Sequence, residues 1–323
     1  MFNIVPQPNE MIITGGKTCF TLTPDTTISK APYIDEFRDF VKKQFDIRIH
    51  RDNENTENAV LLKRTAEIAD DEGYRLVCRD GSIYIYGKTD AGCFYGLQTL
   101  KQLLLQGMGQ IPDMFIEDSP RYKYRGIWLS AGKYTWTEKE LTRLTDLIAL
   151  HKFNAIASEI PFAEIFPEKT LREIEEYCQR RFIKLGTAAK RDTLLSYDLT
   201  APYGTINLKQ TYAREAEPEK AVGGVQAKLH MQYISNQNRA DYCIFPRLGA
   251  IAETAWSAPE EKCYERFYAG LPEYFDLLNV YHIHYATIKQ AIPSFVRGKA
   301  QRIFFMLQKV KKAETSAENT DEN

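Results

Sequence analysis

The chain has 323 residues, enough for two or three domains at roughly 100–200 residues each, and its 44% hydrophobic and 26% charged residues suit a globular protein with a sizeable core. Its 42 basic and 43 acidic residues leave a formal charge of −1, which gives no support to a nucleic-acid or membrane-surface role, since both draw on clustered positive charge. No apolar run approaches the roughly 18 residues of a membrane helix, residues 1–10 lack a signal-peptide pattern, and the six cysteines are scattered without a Cys-x-x-Cys, so the expectation is a cytoplasmic chain with reduced thiols.

Short β-rich runs at Met11–Thr14, Cys19–Leu22 and Ala59–Arg64 open the chain. Tyr74–Arg79 and Ile83–Tyr86 flank Asp80-Gly81, a dipeptide favoured in tight hairpins because Gly tolerates positive φ. Apolar residues at 34, 37, 40, 41 and 45 predict a helix over Tyr33–Phe45. Phe94, Leu97, Leu100 and Leu104 form the stripe of a second, Asp90–Gln106, with Thr89 or Asp90 as its cap. Residues 1–118 thus predict a small N-terminal α+β domain, a sheet with helices on one face. Phe115–Arg125, with its Asp118-Ser119-Pro120, reads as a connector.

The rhythm then changes. Apolar runs at Arg125–Ala131, Phe153–Ile160, Phe182–Leu185, Leu194–Leu199 and Val222–Leu229 alternate with helical patterns at Thr137–His151, capped by Thr137, and at Leu171–Arg181. Strands alternating with helices predict βα units and a parallel sheet over residues 119–290. Arg239–Ala255 and Tyr264–Lys289 are predicted helices, the latter restarted at Pro272. Residues 291–323 predict a last helix, Ser294–Lys312, and a disordered acidic tail, Ala313–Asn323.

No phosphate loop, dinucleotide fingerprint, HExxH or G-x-S-x-G elbow occurs. His282 and His284 sit two apart on a predicted helix and would face different directions. No metal site and no cofactor are predicted. Barrel-type folds place their chemistry at the C-terminal ends of strands, and that test selects Glu159 and Asp198 among the carboxylates. The plainer reading of each is a helix cap or an ion pair with a nearby Arg or Lys.

Several long motifs carry a resemblance. They are Ile4-Val5-Pro6-Gln7-Pro8, Asp71-Glu72-Gly73-Tyr74-Arg75-Leu76, and the run from Asp90-Ala91-Gly92 to Lys101-Gln102-Leu103. Further on come Tyr124-Arg125-Gly126-Ile127-Trp128-Leu129, Leu147 to Asn154, Gly224-Val225-Gln226-Ala227, and Phe245-Pro246-Arg247-Leu248 through Trp256. With one large gap, residues 1 to about 285 resemble glycoside hydrolase family 20, the β-N-acetylhexosaminidases. The resemblance implies an accessory α+β domain followed by a (β/α)8 barrel. It implies removal of terminal N-acetylglucosamine or N-acetylgalactosamine from glycans, in which the substrate's own acetamido oxygen attacks the anomeric carbon. A Glu acts there as acid/base, and the Asp before it orients the acetamido group.

The motifs depart from that pattern. The Asp-x-x-Arg expected after the first barrel strand reads Ser130-Ala131-Gly132-Lys133, and Lys133 lacks the planar fork of Arg. His230 and Gln232 stand where a Trp and a Glu normally close the sugar pocket. The Asp-Glu pair has no counterpart. Length agrees: residues 125–288 number 164, about five βα units at roughly 30 residues each, against about 250 for a complete barrel. The expected fold is therefore α/β, a small α+β domain followed by an incomplete (β/α)8 TIM-type barrel, with a homo-oligomer covering its open edges as one outcome.

Three readings follow. The leading one is an inactive, internally deleted relative of the β-N-acetylhexosaminidases. The second is an active exo-β-N-acetylhexosaminidase with relocated carboxylates, Glu159 as acid and Asp198 or Tyr197 supporting the acetamido group. The third is a non-enzymatic glycan-binding or scaffold protein, in which Trp128, Tyr134, Trp136 and Tyr197 stack on sugar faces. Trp128 and Trp256 lie in apolar elements and predict core; Trp136 is the predicted exposed platform.

Overall fold

The computed structural model describes residues 2–187, 194–215 and 223–318. Two sheets organise it. The first has seven strands: β1 (Glu10–Thr21), β2 (Thr27–Ile28), β3 (His50–Arg51), β4 (Ala59–Arg64), β5 (Tyr74–Arg79), β6 (Ser82–Gly87) and β7 (Gln110–Asp118), in the order β1-β7-β5-β6-β4-β2-β3. Asp80 (φ 53°) and Gly81 (φ 76°) both lie in the left-handed region, and Arg79 pairs with Ser82, so the expected two-residue hairpin forms. The Asp35–Phe45 and Asp90–Gln106 helices accompany this sheet, and the Thr89 side chain caps the second by accepting the Ala91 N–H.

Two expectations fail here. Met11–Thr14 and Cys19–Leu22 are not separate strands: residues 11–14 and 19–21 belong to the one strand β1, whose register against β7 shifts between Ile13 and Phe20. Phe115–Asp118 is not a connector. It completes β7, which is paired on both sides, with β1 and β5; Pro112 and Asp113 had obscured the alternation that buries Ile111, Met114 and Ile116.

The second sheet has five strands: β8 (Tyr124–Leu129), β9 (Ala155–Ser158), β10 (Lys184–Thr187), β11 (Leu194–Asp198) and β12 (Gly224–Leu229). All pair in parallel, in the order β10-β9-β8-β12-β11. The first strand, β8, pairs with the last, β12, which is the closure of a barrel rather than of an open α/β sheet. Only residues 188–193 separate β10 from β11 along the chain, too few for the dozen or more of a parallel crossover. Among the described residues, β10 and β11 are each paired on one side only.

Alternation fixes what each face carries. Ile127, Leu129, Ile156, Leu195, Tyr197, Val225, Ala227 and Leu229 are buried in one core continuous with the helices. The other face, the lumen of the partial barrel, carries two cross-sheet rows set by the register. They are Ser196, Gln226, Gly126, Ala155 and Lys184, then Asp198, Lys228, Trp128, Ala157 and Gly186. The Glu138–Leu150 helix starts with the expected cap, as a full Thr137/Glu140 capping box.

Arg239–Ala255 is two helices, Gln237–Ile244 and Arg247–Trp256, because Pro246 cannot supply the N–H that a continuous helix needs. Tyr264–Lys289 is likewise divided, into Tyr264–Ala269, Leu271–Val280 with Pro272 in its first turn, and the start of a short helix Ile288–Ala291, and His282 and His284 lie between the last two, outside any helix. The last helix runs Phe295–Glu318, six residues into the segment expected to be a disordered tail; residues 319–323 lie outside the described ones.

Buried polar pairs join the two sheets. Arg125 of β8, fully buried, donates to Glu72 (2.8 Å) and to the Tyr95 hydroxyl (3.3 Å), and its guanidinium lies 4.9 Å from the Trp256 ring. Lys152, just before β9, reaches Asp118 at the end of β7.

Candidate functional site

The site expected from the sequence lies at the C-terminal ends of the five parallel strands. Ser130, just past β8, ties two of the loops there: its N–H donates to the Leu229 carbonyl and its Oγ accepts the Met231 N–H at 2.9 Å. This brings the loop carrying exposed Lys133 beside the short turn carrying His230 and exposed Gln232.

Glu159 directly follows β9 and is exposed. Its backbone N–H donates to the Leu129 carbonyl, and its Oε2 accepts the Ala131 N–H at 2.8 Å. Asp198 ends β11. Its Oδ1 accepts from the Thr200 N–H (2.8 Å), the Thr200 hydroxyl (2.6 Å) and the Ala201 N–H (3.2 Å), an Asx-turn that shapes the loop after the strand. The His230 Nε2 stands 3.8 Å from the same oxygen. Between Glu159 and Asp198 lie β8 and β12. Three strand spacings of about 4.8 Å put the two residues on the order of 14 Å apart along the sheet. Paired carboxylates in glycosidases lie about 5–5.5 Å apart when they retain configuration and about 6.5–9.5 Å when they invert it.

Tyr197 does not belong to this site. It is buried on the helix-facing side, its hydroxyl donates to the Arg214 carbonyl at 2.9 Å, and burial pushes its phenol well above the usual range. Its neighbour Asp198 points the other way, as strand alternation requires.

The tryptophans reverse two expectations. Trp136 is buried rather than exposed and packs against Tyr134 with ring centroids 5.8 Å apart. Trp128 is half-buried on the lumen face, not in the core. Its ring meets His230 edge-on at 5.7 Å, and Lys228 Nζ lies 5.5 Å from its centroid. Trp256 is fully buried, as expected. Lys228, which stands between Asp198 and Trp128 in one row with His230 above it, is the residue that sequence reading missed; its signal was alternation in Gly224–Leu229, readable only with the register known. Below this row a cleft of about 600 Å³ lies against the lumen face, lined among others by Tyr124, Ala155, Lys184, Gln226, Asp70 and Asp71.

The fold defines a class: an incomplete (β/α)8-type barrel preceded by an α+β unit. Two family descriptions match the chain, "Glycosyl hydrolase family 20, domain 2" over residues 1–119 and "Glycosyl hydrolase family 20, catalytic domain" over residues 186–259. The chain belongs to glycosyl hydrolase family 20, as a partial member. A beta-hexosaminidase of Porphyromonas gingivalis is 28% identical over 169 residues, 47% of this chain but 22% of that protein. The chain thus spans about a fifth of the length of that relative. Among solved structures, the family 20 β-N-acetylhexosaminidase of Streptomyces coelicolor matches with a TM-score of 0.76 and 16% identity, over 90% of this chain and 98% of that one. A Vibrio harveyi exo-β-N-acetylglucosaminidase in complex with N-acetylglucosamine matches with a TM-score of 0.71 and 14% identity, over 88% of this chain and 78% of that one. At these identities the structural likeness establishes the fold alone.

Proposed function

We propose that this chain is a β-N-acetylhexosaminidase-like protein in which the sugar-cleaving centre is not assembled. The observation that carries this reading is the separation of the two candidate carboxylates by two intervening strands, with Glu159 already engaged by a backbone N–H of the loop after β8 and Asp198 by backbone and side-chain donors of its own loop. A general acid must present a proton to the leaving oxygen from a hydrogen-bond distance. Glu159 Oε2 instead accepts a backbone N–H, and Asp198 Oδ1 accepts three donors. Lys133, His230 and Gln232 surround the mouth without the bidentate fork that grips adjacent sugar hydroxyls. The division into residues 1–118 and 119–290, with 291–323 appended, is part of this proposal.

A second reading, binding of an N-acetylglucosamine- or N-acetylgalactosamine-containing glycan without hydrolysis, is favoured by one specific feature. Trp128 offers a half-open indole face with Lys228 beside it and Asp198 in the same row, an apolar plate next to a donor and an acceptor. The test of the leading reading is turnover of a chromogenic N-acetyl-β-glucosaminide by the purified chain. Release equal to the buffer blank is expected; release that Glu159→Gln abolishes would overturn the proposal.

A further inference from the structure

A second cleft, of about 670 Å³, lies between the loop after β11, the turn after β12, the Gln237–Ile244 helix and the helix Phe295–Glu318. It shares no described lining residue with the cleft on the lumen face, and it meets the mouth of the strand-end site at Gln232. Its outer wall is fixed in place. A Cβ at Gly204 would stand 2.3 Å from the Gly298 carbonyl oxygen, so loop and helix backbones meet at a distance only glycine permits. Arg302 Nε donates to the Gly204 carbonyl at 2.5 Å, and the Phe305 ring lies 5.4 Å from Tyr233. The volume falls within the roughly 300–1,000 Å³ of small-molecule sites.

The charges lining this cleft are of one sign. They are Arg239 and Arg247, and no described lining residue carries a carboxylate. Arg247 is only 1% exposed. Its Nη1 donates to the Leu199 and Ala201 carbonyls at 2.7 and 2.6 Å and its Nη2 to the Ile206 carbonyl, so the guanidinium is held rigidly. Its Nε has no protein partner, and among the described residues it forms no ion pair. Burial draws this guanidinium below its usual range. A buried cation is normally matched by an anion, and three neutral carbonyls supply none. Arg239 is half-buried, stands 5.3 Å from the Tyr242 ring, and likewise forms no ion pair among the described residues. Gln301 Oε1, on the helix side, is a buried acceptor without a protein donor. Orphaned buried polar atoms are rare in folded chains and mark places where another group belongs.

The rest of the lining is aromatic. Tyr203 stacks under Arg247 at 3.9 Å, and Tyr242, Phe304 and Phe305 complete the walls, with Phe304 64% exposed. Flat apolar faces beside two unpaired guanidinium groups suit a ligand with a planar ring and an oxyanion, since arginine recognises carboxylate and phosphate alike. We infer that this cleft binds a small organic anion, a carboxylate or phosphate ester carried on a flat ring, with Arg239 and Arg247 meeting the anion and Tyr242 and Phe304 the ring.

The test is isothermal titration calorimetry of the full chain with four probes: 4-hydroxybenzoate, phenyl phosphate, phenol and inorganic phosphate. The better of the two ring anions should bind at least about tenfold more tightly than phenol or inorganic phosphate, the factor that a hydrogen bond to a charged partner supplies. Which ring anion binds more tightly identifies the natural anion as carboxylate or phosphate. Arg239→Gln should weaken that binding about tenfold by the same measure, and Phe304→Ala severalfold. Both side chains reach the surface, so far-UV circular dichroism should not change in either variant. No heat from either ring anion at millimolar concentration overturns the inference. So does phenol binding as tightly as the anions, or binding that Arg239→Gln leaves unchanged. Inorganic phosphate binding as tightly as phenyl phosphate overturns the role of the ring.

Discussion

Lys152 Nζ and Asp118 Oδ2 stand 2.7 Å apart, and neither side chain is exposed to solvent. The pair joins the end of β7 to the entry of β9, and with it one sheet to the other. The Tyr74 hydroxyl donates to the same Asp118 oxygen (2.7 Å) and accepts from Lys152 (2.9 Å), so both charges have further partners. Burial draws the Lys152 ammonium below its usual range, and the Asp118 charge opposes that. Lys152 also lies 4.6 Å from the Trp256 ring.

Removing one member of such a pair leaves the other charge buried and alone. Asp118→Ala should lower unfolding stability by about 3–5 kcal/mol. Replacing both, as Asp118→Leu with Lys152→Met, should cost much less, because no charge then remains to be desolvated. Denaturant unfolding of the three proteins measures this. A double variant as unstable as Asp118→Ala would contradict the account.

His151 supplies a pH dependence. Its ring is buried, its Nδ1 lies 2.6 Å from the Leu147 carbonyl and its Nε2 2.6 Å from the Tyr274 hydroxyl. A carbonyl only accepts, so Nδ1 carries the proton and Nε2 accepts from Tyr274. Burial depresses the folded pKa from 6.5 to about 4. The unfolded chain then binds the proton more tightly than the folded one. The contribution is fully present above pH 6.5 and is lost as pH falls toward 4, on the order of 3 kcal/mol in all. His151→Phe should be less stable at pH 7 yet lose less between pH 6.5 and 4 than the parent. Parallel stability curves for the two proteins would contradict this.

Trp128 and Tyr197 should separate the lumen face from the helix face. Trp136 and Trp256 are buried, so any tryptophan fluorescence change on titration with N-acetylglucosamine reports on Trp128. On the binding reading, Trp128→Phe abolishes the response. Tyr197→Phe leaves it unchanged while costing about 0.5–1.5 kcal/mol of stability through the lost bond to the Arg214 carbonyl. A response that survives Trp128→Phe would remove the lumen row from consideration.

How much of this was legible depended on how local the signal was. Asp80-Gly81, the Thr137 cap and the Asp90–Gln106 stripe are decided within a few residues, and all appear in the structure. The family motifs also read through, including the shortage of chain for a full barrel, which emerges as five strands with β8 against β12. What failed required tertiary context. Phe115–Asp118 became strand because β1 and β5 flank it. Trp136 was buried by packing that no periodicity encodes. Tyr197 and Asp198 are adjacent in sequence, and only the register against Ala227 and Lys228 says which one faces the lumen.

The central claim is that the family's acid/base chemistry is not assembled between Glu159 and Asp198. Its most direct test is hydrolysis of N,N′-diacetylchitobiose with enzyme and substrate at comparable concentrations, followed across acidic to neutral pH for the parent chain, Glu159→Gln and Asp198→Asn. The account predicts that all three match the buffer blank at every pH. A bell-shaped pH profile in the parent that collapses in either variant would contradict it.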